Sequence, residues 1–445
     1  MNSFIWFDFK KRMKSSRTVF IVLLIIILSF LKIDDHNNKS LRNDSGILFK
    51  RGKEIETIAK TGLNAYIRQN ADKLDENIIN SYKLMENIGI QMQSAVKNSN
   101  FKEYNRLSSI GKILICKKIA MNENRLREMS LKKQVNDIWI ELSNGISYDE
   151  VYFEYTGKKG ELHFYYMFLI ETKHDYMLYK ENLSPIDPHY IDSITFLYMY
   201  FNDVLPLILA IIIIILIFDS VNSEWISGSQ KFVLSNIFSR NKYLISKVLV
   251  GILYSICIVI LPALIISVGY GLFDGVKNYN YPVLYLKDGF KTLPSIPNYI
   301  EFDIENLGYN GSVGLSLYSG YPKGEMGVIN GLVLISLYRF LSISLILTIL
   351  YVSFLVILNT LISSITRNRI ISFILSFVIT IGGVLISKPR TLNENINLSP
   401  FSMNNSVRIL NGTYNVTAIV SIMVLIGACL LLLLFTLYLF KNKDI

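Results

Sequence analysis

The chain has 445 residues, of which 51% are hydrophobic and 18% are charged, and its formal net charge is +10. An ordinary soluble protein carries about 25% charged residues, so this composition argues against that class. The hydrophobic residues are gathered into six long blocks. Each block is expected to cross a membrane as a helix, because a hydrocarbon core about 30 Å thick needs roughly 20 helical residues.

The basic residues are distributed unevenly between the two sides of this predicted membrane protein. With the N-terminus inside, the inner segments 1–18, 219–247, 363–369 and 441–445 contain thirteen bases and four acids. Bases and acids balance in the outer segments, and Arg339 lies within the fourth span. The positive-inside rule therefore predicts a multi-pass plasma-membrane protein with cytoplasmic N- and C-termini. A basic charge of this origin indicates topology, and it gives no reason to expect nucleic acid as a partner.

The N-terminal segment, residues 1–17, places aromatic side chains ahead of a basic cluster in "FIWFDFKKRMK". It either lies in the headgroup region, with membrane lipid as its partner, or is a plain cytoplasmic tail. The first span, 18–33, ends in "SFLKIDD". No pair of small residues follows the apolar run, which favours an uncleaved span over a signal peptide.

The segment between the first and second spans, 34–203, is too long to be a loop and is expected to be an extracellular domain. Apolar residues recur at three- and four-residue steps from about 50 to 140, which predicts helices. Two runs rich in β-branched and aromatic residues flank Gly157 and Gly160, within 148–180, which predicts a β-hairpin. The expected fold class is an all-α membrane protein with six transmembrane helices and a large extracellular α(+β) domain between helices 1 and 2.

The remaining boundaries follow from the apolar blocks. They predict a second span at 204–219, a cytoplasmic loop at 220–243, a third span at 244–272, an outer segment at 273–330, a fourth span at 331–362, a fifth at 370–387, an outer loop at 388–415, a sixth span at 416–440 and a tail at 441–445.

Sequence signatures of catalysis are missing. The four histidines fall in the predicted outer domain without an HExxH motif, and Cys116, Cys257 and Cys429 form no metal-binding spacing. No GxxxxGK[ST] phosphate loop occurs, so the chain is not expected to hydrolyse ATP. We therefore expect no catalytic residue, metal or cofactor in this chain.

The loop after the second span contains an amphipathic stretch, "QKFVLSNIFSR", residues 230–240. Val233, Leu234, Ile237 and Phe238 recur at one-turn spacing and give it one apolar face. A connector between two spans needs only about five residues. The stretch is either a docking surface for a cytoplasmic protein or a solvated interfacial linker, and the spacing alone does not choose between them.

This loop resembles the first cytoplasmic loop of type-2 ABC transporter permeases. The family pattern is an acidic residue, a Gly-Thr-like pair, a Leu-rich helix, a Ser-Arg pair and a lysine that opens the third span. The matching positions are Glu224, Gly228 with Ser229, the helix around Leu234, Ser239 with Arg240, and Lys247. Ser229 replaces the usual threonine, and the proline that usually precedes Ser-Arg is missing. The turn "SSITRNRI", the "LSPF" at 398–401 and the ending "FKNKDI" are also similar to the family.

The resemblance covers the membrane part of the chain and implies a permease subunit of an ABC exporter. In such a complex a second permease subunit pairs with the chain, as a homo- or heterodimer, and separate ATPase subunits carry ATP and magnesium. The loop helix would seat in a groove of the ATPase, and Glu224 would favour the helix start through the helix dipole. An amphipathic peptide, bacteriocin or antibiotic is the expected cargo. The alternative is a non-transporting membrane sensor or assembly protein that uses the outer domain to bind a ligand or partner.

Overall fold

The computed structural model describes residues 2–40, 44–123, 129–143, 162–186, 189–226, 239–286, 332–387, 397–411, 414 and 416–441. Within these residues six helical segments are long and apolar enough to cross a membrane. They are Ser16–Lys39, Ser193–Ile226, Arg240–Asp274, Leu337–Ile365, Arg369–Ile386 and Ala418–Lys441. The prediction of six transmembrane helices is thus confirmed at the level of length and composition.

The helices and strands run as follows in chain order. They are α1 (Asn2–Met13), α2 (Ser16–Ser40), α3 (Asp44–Gln69), α4 (Glu76–Lys97), α5 (Phe101–Glu123), α6 (Met129–Leu142), α7 (Leu162–Glu181), α8 (Ser193–Met199), a π turn (Tyr200–Val204), α9 (Leu205–Ile217), α10 (Asn222–Ile226), α11 (Arg240–Asp274), β1 (Pro282–Leu286), β2 (Leu332–Ser336), α12 (Leu337–Ile365), α13 (Arg369–Ile386), a short 3₁₀ turn (Pro400–Ser402), α14 (Ser406–Leu410) and α15 (Ala418–Lys441).

Helices α3–α7 form a helical domain between the first two spans, which we call the interspan domain. Its apolar side chains make a core of their own, separate from the core among the spans, with Met85, Met92 and Trp139 almost completely buried. Asp75 starts α4 by accepting a hydrogen bond from the Asn77 backbone N–H at 2.8 Å. The helices predicted from the three- and four-residue apolar steps are present.

The predicted hairpin is wrong in its second half. Residues 162–181 form α7, whereas 144–161 lie outside the described residues. The aromatic run "HFYYMFLIE" favours a strand by local propensity, but local propensity is a weak constraint beside burial. Further along α7, His174, Asp175 and Leu178 are buried at helical spacing, so packing of one helix face against the domain decides the structure.

Helices α3 and α4 cross closely where two glycines meet. A Cβ atom built on Gly89 would lie 2.6 Å from the Glu56 backbone nitrogen and 2.7 Å from the Gly52 carbonyl oxygen. Both neighbours are backbone atoms, so the helices themselves would have to move apart. The small residues at this crossing therefore set the distance between the two helices.

Gly89→Ala is expected to destabilise the interspan domain by about 1–3 kcal/mol, the usual range for overpacking a well-packed core. The control is Gly46→Ala in α3, where a Cβ atom meets nothing within 4 Å. Alanine there is expected to be neutral or to stabilise by roughly 0.5–1 kcal/mol. Denaturation of the two variants measures the difference, and equal stability would show that the close crossing is unimportant.

The second span contains a π turn at Tyr200–Val204, just before Pro206. Pro206 has no N–H, so the carbonyl of Asn202 loses its usual partner four residues later. The Asn405 side-chain amide donates to that carbonyl at 2.9 Å. The Leu205 N–H bonds back to the Tyr200 carbonyl, five residues earlier, which is the π geometry. The irregular turn thus connects the second span to the segment before the sixth.

The spans differ in how much of their surface the rest of the chain covers. Over an 18-residue apolar stretch of each span, half or more of the residues of α11 and α12 are buried, whereas only 17% of the residues of α13 and 22% of those of α15 are. On α13 the inward face carries Ser372, Ser376 and Thr380, and large apolar residues point outward. The outer faces of these spans therefore require an apolar neighbour, which is lipid or another protein.

The segment before the fourth span returns to the interspan domain. Strand β1 pairs antiparallel with β2, with Leu284 opposite Leu334. Tyr281, just before β1, is fully buried, and its ring lies 5.5 Å from the ring of His174 on α7. The backbone N–H of Ile186 donates to the Tyr281 hydroxyl at 3.3 Å. Residues 287–331 lie outside the described residues.

Candidate coupling site

Lys247, in the second turn of α11, is at the centre of a buried ion-pair network. Its side chain is 1% exposed, and its ammonium contacts the carboxylates of Glu224 on α10 and Asp8 on α1. The distance to Asp8 Oδ2 is 2.9 Å. The lysine therefore joins the N-terminal helix, the end of the second span and the start of the third span.

Tyr243 and Arg12 complete the network. The Tyr243 hydroxyl donates to Glu224 Oε2 at 2.6 Å, and its ring stacks on Phe440 of the last span at 6.0 Å. Arg12 Nε lies 3.5 Å from Asp8 Oδ2. Two bases and two acids are thus collected in one place with no net charge. We call Asp8, Arg12, Glu224, Tyr243 and Lys247 the Lys247 network.

Charge pairing has a larger effect than burial on the pKa of Asp8. Burial alone would raise the pKa of this carboxyl, but Arg12 and Lys247 hold the pKa below its usual value. A lowered pKa means that this contribution to stability is complete at neutral pH and is lost only as the pH falls below about 4. The Asp8 carboxyl is therefore expected to stay ionised at physiological pH.

Further contacts attach α10 to the neighbouring spans. The backbone N–H groups of Val221 and Asn222 donate to Ser363 Oγ near the end of α12, at 3.1 and 3.2 Å. The Arg367 guanidinium lies 5.4 Å from the centre of the Trp225 ring. Arg17 of the first span is paired with Asp219 at 3.0 Å. The chain entering the loop is thus held by the first span, by the fourth span and by the turn between the fourth and fifth spans.

The other end of the loop is held as well. The Ser239 side chain caps α11 by accepting from the Lys242 backbone N–H, which satisfies a helix-end donor. Arg240 donates to the Lys441 carbonyl at 2.9 Å, at the end of the last span. The N-terminal helix, both described ends of the loop and the end of the last span therefore lie on one side of the bundle.

Of the seven residues predicted for coupling, the structure brings Glu224 and Lys247 into contact and places Ser239 and Arg240 at the start of α11. Gly228, Ser229 and Leu234 fall within 227–238, outside the described residues, so the amphipathic loop helix stays a prediction.

Sequence reasoning missed Asp8, Arg12 and Tyr243. Asp8 is the single acid among five bases in residues 1–18, which is a signal for a specific partner. Tyr243 precedes Lys247 by one helical turn, so the two share a face. Neither pattern tells which distant residue completes the contact.

The fold and this site define a multi-pass helical membrane protein. Its N-terminal helix and both described ends of the loop between the second and third spans are bound to the spans by ion pairs and hydrogen bonds. The family model described as "ABC-2 family transporter protein" matches residues 3–445. The chain belongs to this family and is an ABC-2 type permease, which confirms the resemblance seen in the sequence. The family is a membrane transport component that works in general with an ABC ATPase. No curated protein and no solved structure matches the chain.

Proposed function

We propose that the chain is the membrane-spanning permease subunit of an ATP-driven exporter, powered by a separate ATPase that docks on residues 220–243. The Lys247 network carries this proposal, because it joins the start of the loop to the first helix and the third span. A push on Glu224 by a docked partner would reach Lys247 and Asp8 directly. A linker without a docking role does not need a buried, fully paired attachment of this kind.

The orientation follows from the charge asymmetry. The side that holds α1, the loop and the end of the last span also holds the excess of basic residues, so we assign it to the cytoplasm. The interspan domain is then extracellular. This assignment places the docking loop where a cytoplasmic ATPase can reach it.

A second permease subunit is part of the proposal. Only 17% of the residues of helix α13 are buried, and the helix turns Phe373, Phe377 and other apolar residues outward. Lipid covers part of this surface, and a second copy or a related chain covers the rest. The two subunits would form a path between them, which fits spans with few charged residues.

The cargo is expected to be an amphipathic peptide, bacteriocin or antibiotic. Such molecules partition into the apolar surfaces between spans. The experiment measures ATP hydrolysis by the purified complex in lipid nanodiscs as candidate compounds are added. A saturable increase with one amphipathic class is the expected result. Stimulation only by small hydrophilic solutes would overturn the cargo proposal and leave the permease assignment intact.

A further inference from the structure

Helix α1 is attached to the bundle by one face only. On that face Asp8 pairs with Lys247 at 2.9 Å, and Phe9 packs against the core among the spans. The Thr18 hydroxyl donates to the Arg12 carbonyl at 2.7 Å, which fixes the turn between α1 and the first span. The opposite face of α1 therefore points in a set direction, away from the rest of the bundle.

This opposite face of α1 mixes aromatic and basic side chains. Trp6 is 66% exposed and Phe7 is 69% exposed. Four-residue steps along a helix keep side chains on one face, which places Lys10 beside Trp6 and Lys11 beside Phe7. The Lys14 N–H bonds to the Lys10 carbonyl at 3.3 Å, so the helical geometry continues to this third exposed lysine. We call these five residues the α1 outer face.

The charge of the α1 outer face is entirely positive. Its three lysines are exposed, and none of them forms an ion pair with another residue in the described part of the chain. The single acid of α1, Asp8, lies on the inward face beside Arg12 and Lys247. The chain itself therefore does not neutralise the outward charge, and the face is complementary to a negatively charged surface.

The level of α1 in the bundle is that of a membrane surface. Arg240 begins α11, and the Lys247 that α1 contacts lies roughly two turns further, about 10 Å along the helix axis. Water would leave the two aromatic rings exposed, and the hydrocarbon core would bury three charges. The headgroup region suits both kinds of side chain, because aromatic rings collect at this depth and lysines extend from it towards phosphates.

We propose that the α1 outer face binds the headgroups of anionic phospholipids. Trp6 and Phe7 lie at the boundary with the acyl chains, and the three lysines lie among the phosphates. Asp8 is on the same helix and pairs with Lys247, so lipid held on the outer face also keeps Asp8 in place on the inner face. Membrane composition would thus influence the Lys247 network without contacting it. This inference goes beyond the proposed function and does not depend on transport.

The test measures which lipid lies next to Trp6 in the full chain, reconstituted in nanodiscs of phosphatidylcholine and phosphatidylglycerol. Bromine on an acyl chain quenches tryptophan fluorescence on contact, and the same amount of bromine is placed on one lipid or on the other at identical headgroup composition. Subtracting the signal of Trp6→Phe isolates Trp6 from Trp139 and Trp225. Phosphatidylglycerol is expected to be enriched at least about fivefold at Trp6, the preference that a single lysine contributes near an anionic surface.

Charge variants test the role of the lysines. The triple variant Lys10→Gln, Lys11→Gln, Lys14→Gln is expected to lower the enrichment to about one, while brominated phosphatidylcholine still quenches Trp6. Arginine at the same three positions is the matched control, because it keeps the charge and should keep the enrichment. Lys39→Gln, at an exposed position near the other end of the first span, should change nothing. Salt at about 1 M, where the screening length is about 3 Å, should remove the preference in the unaltered protein.

Quenching by neither lipid would overturn the proposal, because α1 would then lie in water as a plain tail. Equal quenching by the two lipids would also overturn it, since the face would lie in the headgroup region without selecting a charge. Enrichment that survives in the glutamine variant would assign the effect to other residues, with the same consequence. The salt series uses the unaltered protein, so it decides the question even if a variant fails to fold. None of these readouts uses ATP or transport, so failure here is distinct from failure of the proposed function.

Discussion

Lys247→Met is expected to destabilise the membrane part of the protein by about 3–5 kcal/mol, the usual cost of removing one partner from a buried ion pair. Methionine has a similar length, so the loss comes from charge and not from a cavity. Asp8 and the partly buried Glu224 would both lose the ammonium that they share, while Asp8 would keep its pairing with Arg12. Denaturant titration of the purified protein, followed by helical circular dichroism, measures the change.

Two further variants show whether pairing is the cause. Lys242→Met removes a lysine from the same helix at an exposed position and should change stability by less than about 0.5 kcal/mol. The double variant Glu224→Gln, Lys247→Met removes one charge of each sign, leaves Asp8 paired with Arg12, and should recover most of the loss. If Lys247→Met and Lys242→Met are equally stable, the Lys247 network does not hold the loop to the spans.

Leu234→Pro is expected to separate ATP hydrolysis from transport while the chain still inserts into the membrane. A proline within a helix costs about 3 kcal/mol, which corresponds to more than a hundredfold loss of helix population in a short segment. The predicted loop helix would then fail to form the docking surface. Cargo-stimulated ATPase activity should fall to the unstimulated rate, and transport should stop.

Leu234→Ala is the control, because alanine preserves the helix and removes only part of the apolar face. Leu234→Ala should reduce the stimulation of ATPase activity by cargo only in part. Membrane yield and unfolding temperature should match the unaltered protein for both variants. Normal transport by Leu234→Pro would show that the loop has no docking role.

Glu224→Lys tests the same loop, but it is expected to change both coupling and stability. The sequence alone predicts that this reversal uncouples transport without affecting insertion. The structure adds a second effect, because the new ammonium would face that of Lys247 in a buried site. We therefore expect Glu224→Lys to lower stability as well, and Glu224→Gln is the better variant for measuring coupling.

The membrane part could be predicted from the sequence because its physics is local. A run of about 20 apolar residues specifies a span without information from elsewhere in the chain. The first and last residues of each transmembrane helix are harder to predict, because they depend on residues outside the apolar run. The helix of the second span begins at Ser193, eleven residues before the apolar run, because Asp192 caps it by accepting from the Ile194 and Thr195 N–H groups.

The Lys247 network could be predicted only in part. The family pattern pointed to Glu224 and Lys247, but Asp8 lies 239 residues from Lys247 along the chain. A contact over that separation depends on how the helices pack, which no local pattern contains. The same holds in the interspan domain for the buried ion pairs that Lys112 on α5 makes with Glu171 and Asp175 on α7.

The most direct test of the account is to purify the tagged chain from native membranes in a mild detergent and to identify its companions by mass spectrometry. The expected companion is a stoichiometric soluble protein that contains a phosphate loop, retained by Leu234→Ala and lost by Leu234→Pro. Recovery of the chain in good yield without any ATPase would contradict it, and would favour a membrane sensor that acts through the interspan domain.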